Sequence, residues 1–328
     1  ATFSANTPSV TLIAGTTIND ADDGDGDRTS NDTTHIDNVD DLTLTSGGAI
    51  GTATAVDGLN IDAETLTITD TGGDNAVLMT NTGSADLEVT AVPQGGGAVG
   101  AVDITQQAND MTVGLIDTST GGTTEAVTLA VLDGSLDDAT AGFDGLAGGD
   151  DIIGSTLTLT ASEGIGDNAD LETQSTSIVA QADGSGTGDG DIILNETDAG
   201  GTTLTNVVAD DGSITIQSNG PLVALNVDTS NTDAEANDIL LETTAGDITM
   251  TSVNAGTLGD ATIDAAAQIN DDDDTGNALV ADQAALIAGD GIGVTTTLNT
   301  DVNEMDVDNS TGGNVAITND GALTLLDL

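Results

Sequence analysis

The chain has 328 residues and a mass of 32.1 kDa, which is enough for one long domain or two ordinary ones. It carries 57 acidic residues against a single Lys or Arg, a formal charge of -56, and has no Cys, Trp or Tyr. This composition excludes disulfides, thiolate metal sites and a basic surface for nucleic acid or for an anionic membrane. Leu, Ile, Val and Phe make up 76 residues, a share above the roughly 20% below which chains stay disordered, so an aliphatic core is expected.

The start of the chain, residues 1–6, lacks the basic segment of a secretory signal, which predicts a mature or excised segment. No run of about 18 apolar residues occurs, so no membrane insertion is expected. Further along, short segments alternate apolar and polar residues and end at Gly, Asp or Asn, a pattern that predicts half-buried strands. These segments are 42–45, 66–69, 157–160, 214–216, 248–251, 315–318 and 323–325. Only 278–288 has a helix-like composition, and no convincing amphipathic helix is present.

Two sequence markers recur along the chain at long intervals. The first marker opens an acidic loop at Ile18, Leu136 and Ile269, spaced 118 and 133 residues apart. The second is a Gly-Ile-Gly or close variant centred on Ile50, Ile165 and Ile292, spaced 115 and 127 residues apart. Because both markers keep step, the sequence predicts one continuous repeat array, with unit 1 at 1–135, unit 2 at 136–268 and a partial unit 3 at 269–328.

Recurrent strands, internal repetition and the lack of helices favour an all-β fold, a parallel β-solenoid (β-helix) in which each turn stacks its aliphatic residues on the next. An array of β-sandwich domains is the alternative, although immunoglobulin-type sandwiches usually carry a buried Trp or a corner Tyr. Turns of roughly 24 residues, spaced about 4.8 Å apart, predict a rod of about 65 Å. Its charge density, roughly one per 1.2 Å, would exceed the ~1.7 Å spacing of duplex DNA, so bound or condensed cations are expected.

Several segments resemble the repeats of very large bacterial cell-surface proteins, the filamentous-haemagglutinin-like β-solenoid adhesins. Residues 212–216, 247–251 and 313–323, together with the Gly-Ile-Gly segments, look like the GDITLT and NTGALT repeats of that group. The resemblance implies a β-solenoid that is extracellular or displayed at the cell surface and serves adhesion, matrix or filament formation. It carries over no catalytic residue.

The densest acidic loop is a candidate calcium site, because carboxylates on alternate residues with Gly between them can supply the six or more oxygens that Ca²⁺ takes. Its candidate ligands are Asp20, Asp22, Asp23, Asp25 and Asp27. It is not an EF-hand, since counting from Asp23 places Arg28 and Thr34 where such a loop needs Gly and Glu. A solvated acidic turn is the alternative interpretation.

Two further segments are weaker calcium candidates. Residues 145–153 resemble half of a calcium-binding nonapeptide repeat, with Asp150 and Asp151 as its carboxylates. The places that match the first acidic loop are occupied by Asp137 and Asp138 in unit 2 and by Asp271, Asp272 and Asp273 in unit 3. A saline habitat, in which acidity serves solubility alone, would explain the same charge without specific sites.

Catalysis is not expected from this composition. Arg28 and His35 are the only strongly basic side chains. A solenoid polysaccharide lyase needs basic residues to stabilise an enolate, and a glycoside hydrolase of this shape normally offers aromatic platforms. Acidic pairs such as Asp150 and Asp151 are therefore interpreted as turns and not as acid–base dyads.

The two ends of the solenoid would expose strand edges and apolar core, and neither carries an evident polar cap. The candidate assembly interface consists of Phe3, Val10, Leu12 and Ile13 at one end and Leu323, Leu325, Leu326 and Leu328 at the other. These ends predict a head-to-tail homopolymer, or the continuation of a longer chain, in a surface filament or matrix fibre with bound divalent cations. The alternative is a stalk or adhesin segment that displays a ligand-binding site, which a loop insertion unique to one unit would favour.

Overall fold

The computed structural model describes residues 3–18, 36–51, 58–71, 75–93, 99–119, 124–140, 149–184, 190–272 and 275–327. All strand pairs in these ranges are parallel and belong to one continuous sheet. The sheet winds into a β-solenoid of about 11 turns. The predicted fold is confirmed, and the alternative of β-sandwich domains is wrong because such sandwiches are built from antiparallel strands.

The solenoid contains 28 strands in the described ranges. In chain order they are β1 Phe3–Ala14, β2 Ile36–Ser46, β3 Leu59–Asp70, β4 Asn75–Asn81, β5 Leu87–Pro93, β6 Val99–Gln106, β7 Met111–Asp117, β8 Val127–Val131, β9 Leu136–Asp138, β10 Ile152–Ile153, β11 Thr156–Ala161, β12 Leu171–Gln174, β13 Ser177–Ala182, β14 Ile192–Glu196, β15 Thr202–Ala209, β16 Ile214–Ser218, β17 Leu222–Ala224, β18 Val227–Asp228, β19 Ile239–Thr243, β20 Ile248–Met250, β21 Val253–Asn254, β22 Ala261–Ala265, β23 Gln268–Asp271, β24 Leu279–Ala288, β25 Gly291–Ile292, β26 Leu298–Asn309, β27 Ile317–Asn319 and β28 Thr324–Asp327.

Strand segments of successive turns stack into three faces that run along the rod. Face A contains the in-register column Ile192, Ile214, Ile239, Ala261, Ala284 and Met305. Face B contains the column Leu222, Ile248, Ile269 and Ile292. Face C contains the column Val227, Val253, Leu279, Thr300 and Asn319. Long strands such as β24 and β26 turn the corner from face C to face A.

The core is an axial stack of aliphatic side chains. Burial alternates residue by residue in β19 and β22, as period-two alternation predicts for a strand with one face inside. Each fully buried Leu, Ile or Val contributes about 1.5–3 kcal/mol relative to an exposed one, so a long stack needs no aromatic residue. Residues 278–288, whose composition is helix-like, form most of β24, and their Ala side chains alternate between the core and the surface. The described ranges hold no helix of the length and apolarity that a bilayer requires.

Turn length varies because loops of different size connect strands that stay in register. The step from Ala261 to Ala284 is 23 residues, whereas the step from Leu129 to Leu159 is 30. About 11 turns at ~4.8 Å give a rod of about 53 Å, shorter than the predicted 65 Å, because the loops take up more residues than a uniform 24-residue turn allows.

The two sequence markers of each unit pair with each other on adjacent turns. Ile18 bridges Ile50, Leu136 bridges Ile165, and Ile269 pairs with Ile292. The Gly that follows the second marker has positive φ each time, at 72°, 67° and 64°, and its N–H donates to the first marker's carbonyl. The markers of units 1 and 3 lie on face B and those of unit 2 on face A. The unit boundaries themselves stay a prediction.

Asp side chains link successive turns through the backbone. In each case a carboxylate accepts the N–H of a residue 21 to 25 positions later, at 2.6–3.1 Å. The acceptor–donor pairs are Asp110–Ser135, Asp151–Glu172, Asp191–Ser213, Asp238–Asp260, Asp247–Gln268 and Asp260–Gln283. The short Asp side chain suits this reach, which gives a structural reason for 48 Asp against 9 Glu.

Candidate functional site

Face A is interrupted in the middle of the rod. Strands β9 and β10 both pair with β7, so the chain leaves the face after Asp138 and returns to it at Asp151. The next turn has a smaller break, between Ile165 and Leu171, which pair with Ile192 and Leu194. Each break places acidic residues where the chain rejoins the face.

The rejoining residues form a buried acidic cluster of Asp138, Asp151 and Glu172. Asp151, Glu172 and Asn195 belong to an outward column of face A, which is half-exposed further along at Gln217 and Glu242. At the level of the two breaks the same column is buried, and Asp138, Asp151 and Glu172 are only 6%, 5% and 1% exposed. The oxygens of the three carboxylates lie within 4.8 Å of one another.

Hydrogen bonds hold the three carboxylates in place. Asp151 Oδ2 accepts the Glu172 N–H at 2.9 Å. Asp138 Oδ1 accepts the Thr140 N–H at 2.9 Å, and Asp138 Oδ2 accepts the Thr140 hydroxyl. Glu172 Oε1 accepts an amide hydrogen from Asn195 at 3.1 Å, and the same amide group also donates to Asp170. Part of the coordination capacity of each carboxylate is therefore already used within the protein.

The cluster favours the protonated form of at least one member. Burial raises the pKa of Asp151 to about 8; the Glu172 N–H opposes the rise, while the Asp138 and Glu172 carboxylates add to it. No basic side chain can neutralise the cluster from the described residues, because Arg28 and His35 lie outside them. Protons or an external cation must supply the compensating charge. Three close carboxylates suit a hard divalent ion such as Ca²⁺, whose other oxygens would come from carbonyls or water.

The predicted metal ligands are distributed between this cluster and other positions. Asp151 is in the cluster, whereas its neighbour Asp150 accepts the hydroxyl of Thr197. Asp271 Oδ2 accepts from Asn299 Nδ2 at 3.0 Å, and the exposed Asp272 accepts from the Thr251 hydroxyl. Asp20, Asp22, Asp23, Asp25, Asp27 and Asp273 lie outside the described residues. Calcium binding at all of these positions stays a prediction.

Two members of the cluster were harder to anticipate. Asp138 belongs to the acidic marker of unit 2, but nothing in the sequence places it beside Asp151. Glu172 lies in the alternating segment of β12, where it has the signature of an ordinary outward strand residue. Only the stacking register, which depends on two loop lengths, brings them together.

A second buried carboxylate, Glu196, points into the solenoid beside this cluster. Its inward column on face A runs through Ile116, Ile152, Thr173, Glu196, Ser218, Thr243, Ala265 and Ala288. Glu196 Oε1 accepts the N–H groups of Ser175 and Asp198 at 2.9 and 3.1 Å. Its Oε2 accepts the Ser175 and Thr173 hydroxyls at 2.8 and 3.1 Å. Burial raises the pKa of Glu196 to about 7, and these hydrogen bonds oppose the rise.

The two ends of the rod expose apolar side chains. At the C-terminal end, Leu323, Leu325 and Leu326 are 40%, 49% and 54% exposed, and a groove of about 240 Å³ opens onto Met305 and Val307. At the N-terminal end, Val10 and Leu12 are partly buried against the core, whereas Ile13 is exposed. Phe3 pairs through its backbone with Ile36, and Leu328 lies outside the described residues.

Neither a protein family, a curated protein nor a solved structure was found to match the chain. The resemblance to filamentous-haemagglutinin-like adhesins is thus supported at the level of the β-solenoid fold and no further.

Proposed function

We propose that this chain is an extracellular or cell-surface structural protein without enzymatic activity. In this proposal it stacks head to tail into a surface filament or matrix fibre that divalent cations stabilise, in the manner of a haemagglutinin-like β-solenoid rod. The observation that carries the proposal is the exposed apolar core of the C-terminal turn, formed by Leu323, Leu325 and Leu326.

An uncovered solenoid end is costly in water. The last parallel strand offers backbone N–H and C=O groups to any further strand, and solenoids normally shield such an edge with a polar cap. The described C-terminal turn has apolar residues where a cap would be polar, and the groove beneath it reaches the inward column at Met305. A further turn of the same alternating pattern would cover both the backbone edge and the groove.

Cations support the proposal in two ways. A chain with a formal charge of -56 must reduce its self-repulsion before copies can approach end to end. The acidic cluster of Asp138, Asp151 and Glu172 offers one place where a divalent ion would replace protons inside the rod. Calcium is the cofactor that these carboxylates favour.

Negative-stain microscopy and sedimentation velocity, each in calcium and then in chelator, test the proposal. We expect fibres in calcium that shorten or dissolve on chelation. The variant Leu325→Asp places a charge at the C-terminal edge and should abolish fibres. Its control is Leu258→Asp, at a corner in the middle of the rod, where the side chain is 51% exposed and fibres should persist. A monodisperse monomer at high protein concentration with calcium and salt present would overturn the proposal.

A stalk or adhesin segment that displays a ligand-binding site is the second candidate. The excursion between Asp138 and Asp151 favours it, because this insertion into face A is larger than the break in the following turn. Isolated short rods in both calcium and chelator would support this function over the fibre.

A further inference from the structure

We propose that the partner of the C-terminal turn is the N-terminal turn of a second copy, docked as parallel strands that continue the ladders in register. This inference rests on the proposed head-to-tail fibre and specifies its junction. It predicts a fibre with a single polarity, in which each junction is one more turn of the solenoid.

The charge distribution favours this partner. Acidic residues make up 57 of 328 positions, about one in six, yet residues 1–19 contain none and residues 309–326 contain only Asp320. The preceding segment, residues 298–308, has four. Edge strands of soluble proteins are usually protected by charged residues, and β1 has no charged residue at all. Charge is thus lowest in the two turns that the junction would bring together.

The two terminal turns also present matching faces. In the N-terminal turn, residues 9–14 lie on face A and Ile18 lies on face B. In the C-terminal turn, β28 lies on face A and Val315 on face B. Translation of a second copy along the rod axis therefore brings strand over strand on the same faces, with the same parallel direction.

One outward column fixes the expected register. At the C-terminal end it runs through Thr215, Leu240, Thr262, Ala285, Asp306 and Asp327. At the N-terminal end it runs through Ser9, Asp41, Thr65, Glu88, Thr112 and Asp137. The halves join because Asp137 and Ile193 each follow a residue that bridges Ile165. Asp327 of one copy should therefore lie opposite Ser9 of the next.

Disulfide cross-linking tests this register, because the chain has no native Cys. Parallel neighbours about 4.8 Å apart are within the range of Cα separations that a disulfide bridges. We expect the double variant Ser9→Cys/Asp327→Cys, oxidised in calcium, to convert the monomer band into a ladder of covalent oligomers. Ser9→Cys/Asp41→Cys should form an intramolecular bridge, which checks the geometry within one chain.

The controls separate failure of the register from failure of the fibre. Asp327→Cys/Glu235→Cys, with the second thiol exposed on the side of the rod, should give no ladder. Fibres that form in calcium without a Ser9→Cys/Asp327→Cys ladder would overturn the junction and leave the proposed function standing. Covalent dimers of the single variant Asp327→Cys would indicate tail-to-tail contact and overturn it as well. A monomer by sedimentation velocity would remove both proposals.

Discussion

Two buried carboxylate sites lie side by side in the middle of the solenoid and differ in almost every contact. Asn195 and Glu196 are consecutive in β14, so one side chain points outward to the acidic cluster and the other points into the core. Glu196 is surrounded by four hydrogen-bond donors. In the cluster, Asp138, Asp151 and Glu172 face one another.

This difference shows that burial alone does not determine whether a carboxylate needs a cation. Burial raises the pKa at both sites, to about 7 for Glu196 and about 8 for Asp151. The donors around Glu196 stabilise its ionised form within the protein, whereas the neighbours of Asp151 add negative charge. A cation is therefore expected at the cluster and not at Glu196.

Removing the Glu196 carboxylate should have the largest effect on stability. Glu196→Ala leaves the Ser175 N–H and the hydroxyls of Ser175 and Thr173 without their acceptor, which should lower the free energy of unfolding by about 3 kcal/mol. Urea denaturation at pH 6 measures it. Glu196→Gln keeps an acceptor oxygen and should lose less than half as much. Glu242→Ala, a half-exposed position on the same face, should change stability by no more than about 0.5 kcal/mol, and equal losses in Glu196→Ala and Glu242→Ala would contradict the comparison.

Calcium should stabilise the cluster by the next largest amount. At a free concentration of 100 times the Kd, binding to the folded state alone adds about 2.7 kcal/mol to the free energy of unfolding. Asp151→Asn should abolish this gain, and Asp150→Asn should keep it because Asp150 is engaged by Thr197 outside the cluster. Thermal or urea unfolding with and without calcium measures the effect. An equal gain in both variants would place the ion elsewhere.

The pH dependence of stability should separate the two sites by a smaller amount. In chelator, the raised pKa of Asp151 means that the folded state holds a proton that the unfolded state has lost. The free energy of unfolding should therefore fall as pH rises from about 4 to about 8, by at most about 1.4 kcal/mol per pH unit for one proton, and level off above. Asp151→Asn should flatten this slope, and calcium should flatten it in the unsubstituted chain. Parallel curves for the two proteins would contradict the assignment.

The smallest expected effect is at Asn195, the one amide that links the cluster to Asp170. Asn195→Ala removes the hydrogen bond to Glu172 and should destabilise the chelated protein by about 1 kcal/mol. Calcium should offset part of this loss, because the ion would replace the amide as a partner of Glu172. Unfolding curves in both conditions measure the difference, and an identical loss in calcium would speak against an ion near Glu172.

The fold was predictable because its main signal is local. Segments such as 214–216 and 248–251 alternate with period two, and the marker glycines mark the tight turns that the solenoid needs. The acidic cluster was only partly predictable because it depends on register. Asp151 was identified from its glycine-rich segment, but Glu172 joins it through two loops whose lengths no local pattern specifies. The aspartate preference was interpreted as turns or cation loops, and its role as an acceptor for the next turn's backbone became visible only once the turns were stacked.

The ladder hydrogen bonds between turns run along the rod axis, so tension applied to the two ends would pull directly on them. A terminal turn can then peel away while the rest of the stack stays intact, since each turn contacts chiefly its neighbours. Every released turn of 21 to 30 residues would add about 70 to 100 Å of extended chain. Under load, a rod of this construction would lengthen in steps, each many times the 4.8 Å that the turn occupied when folded.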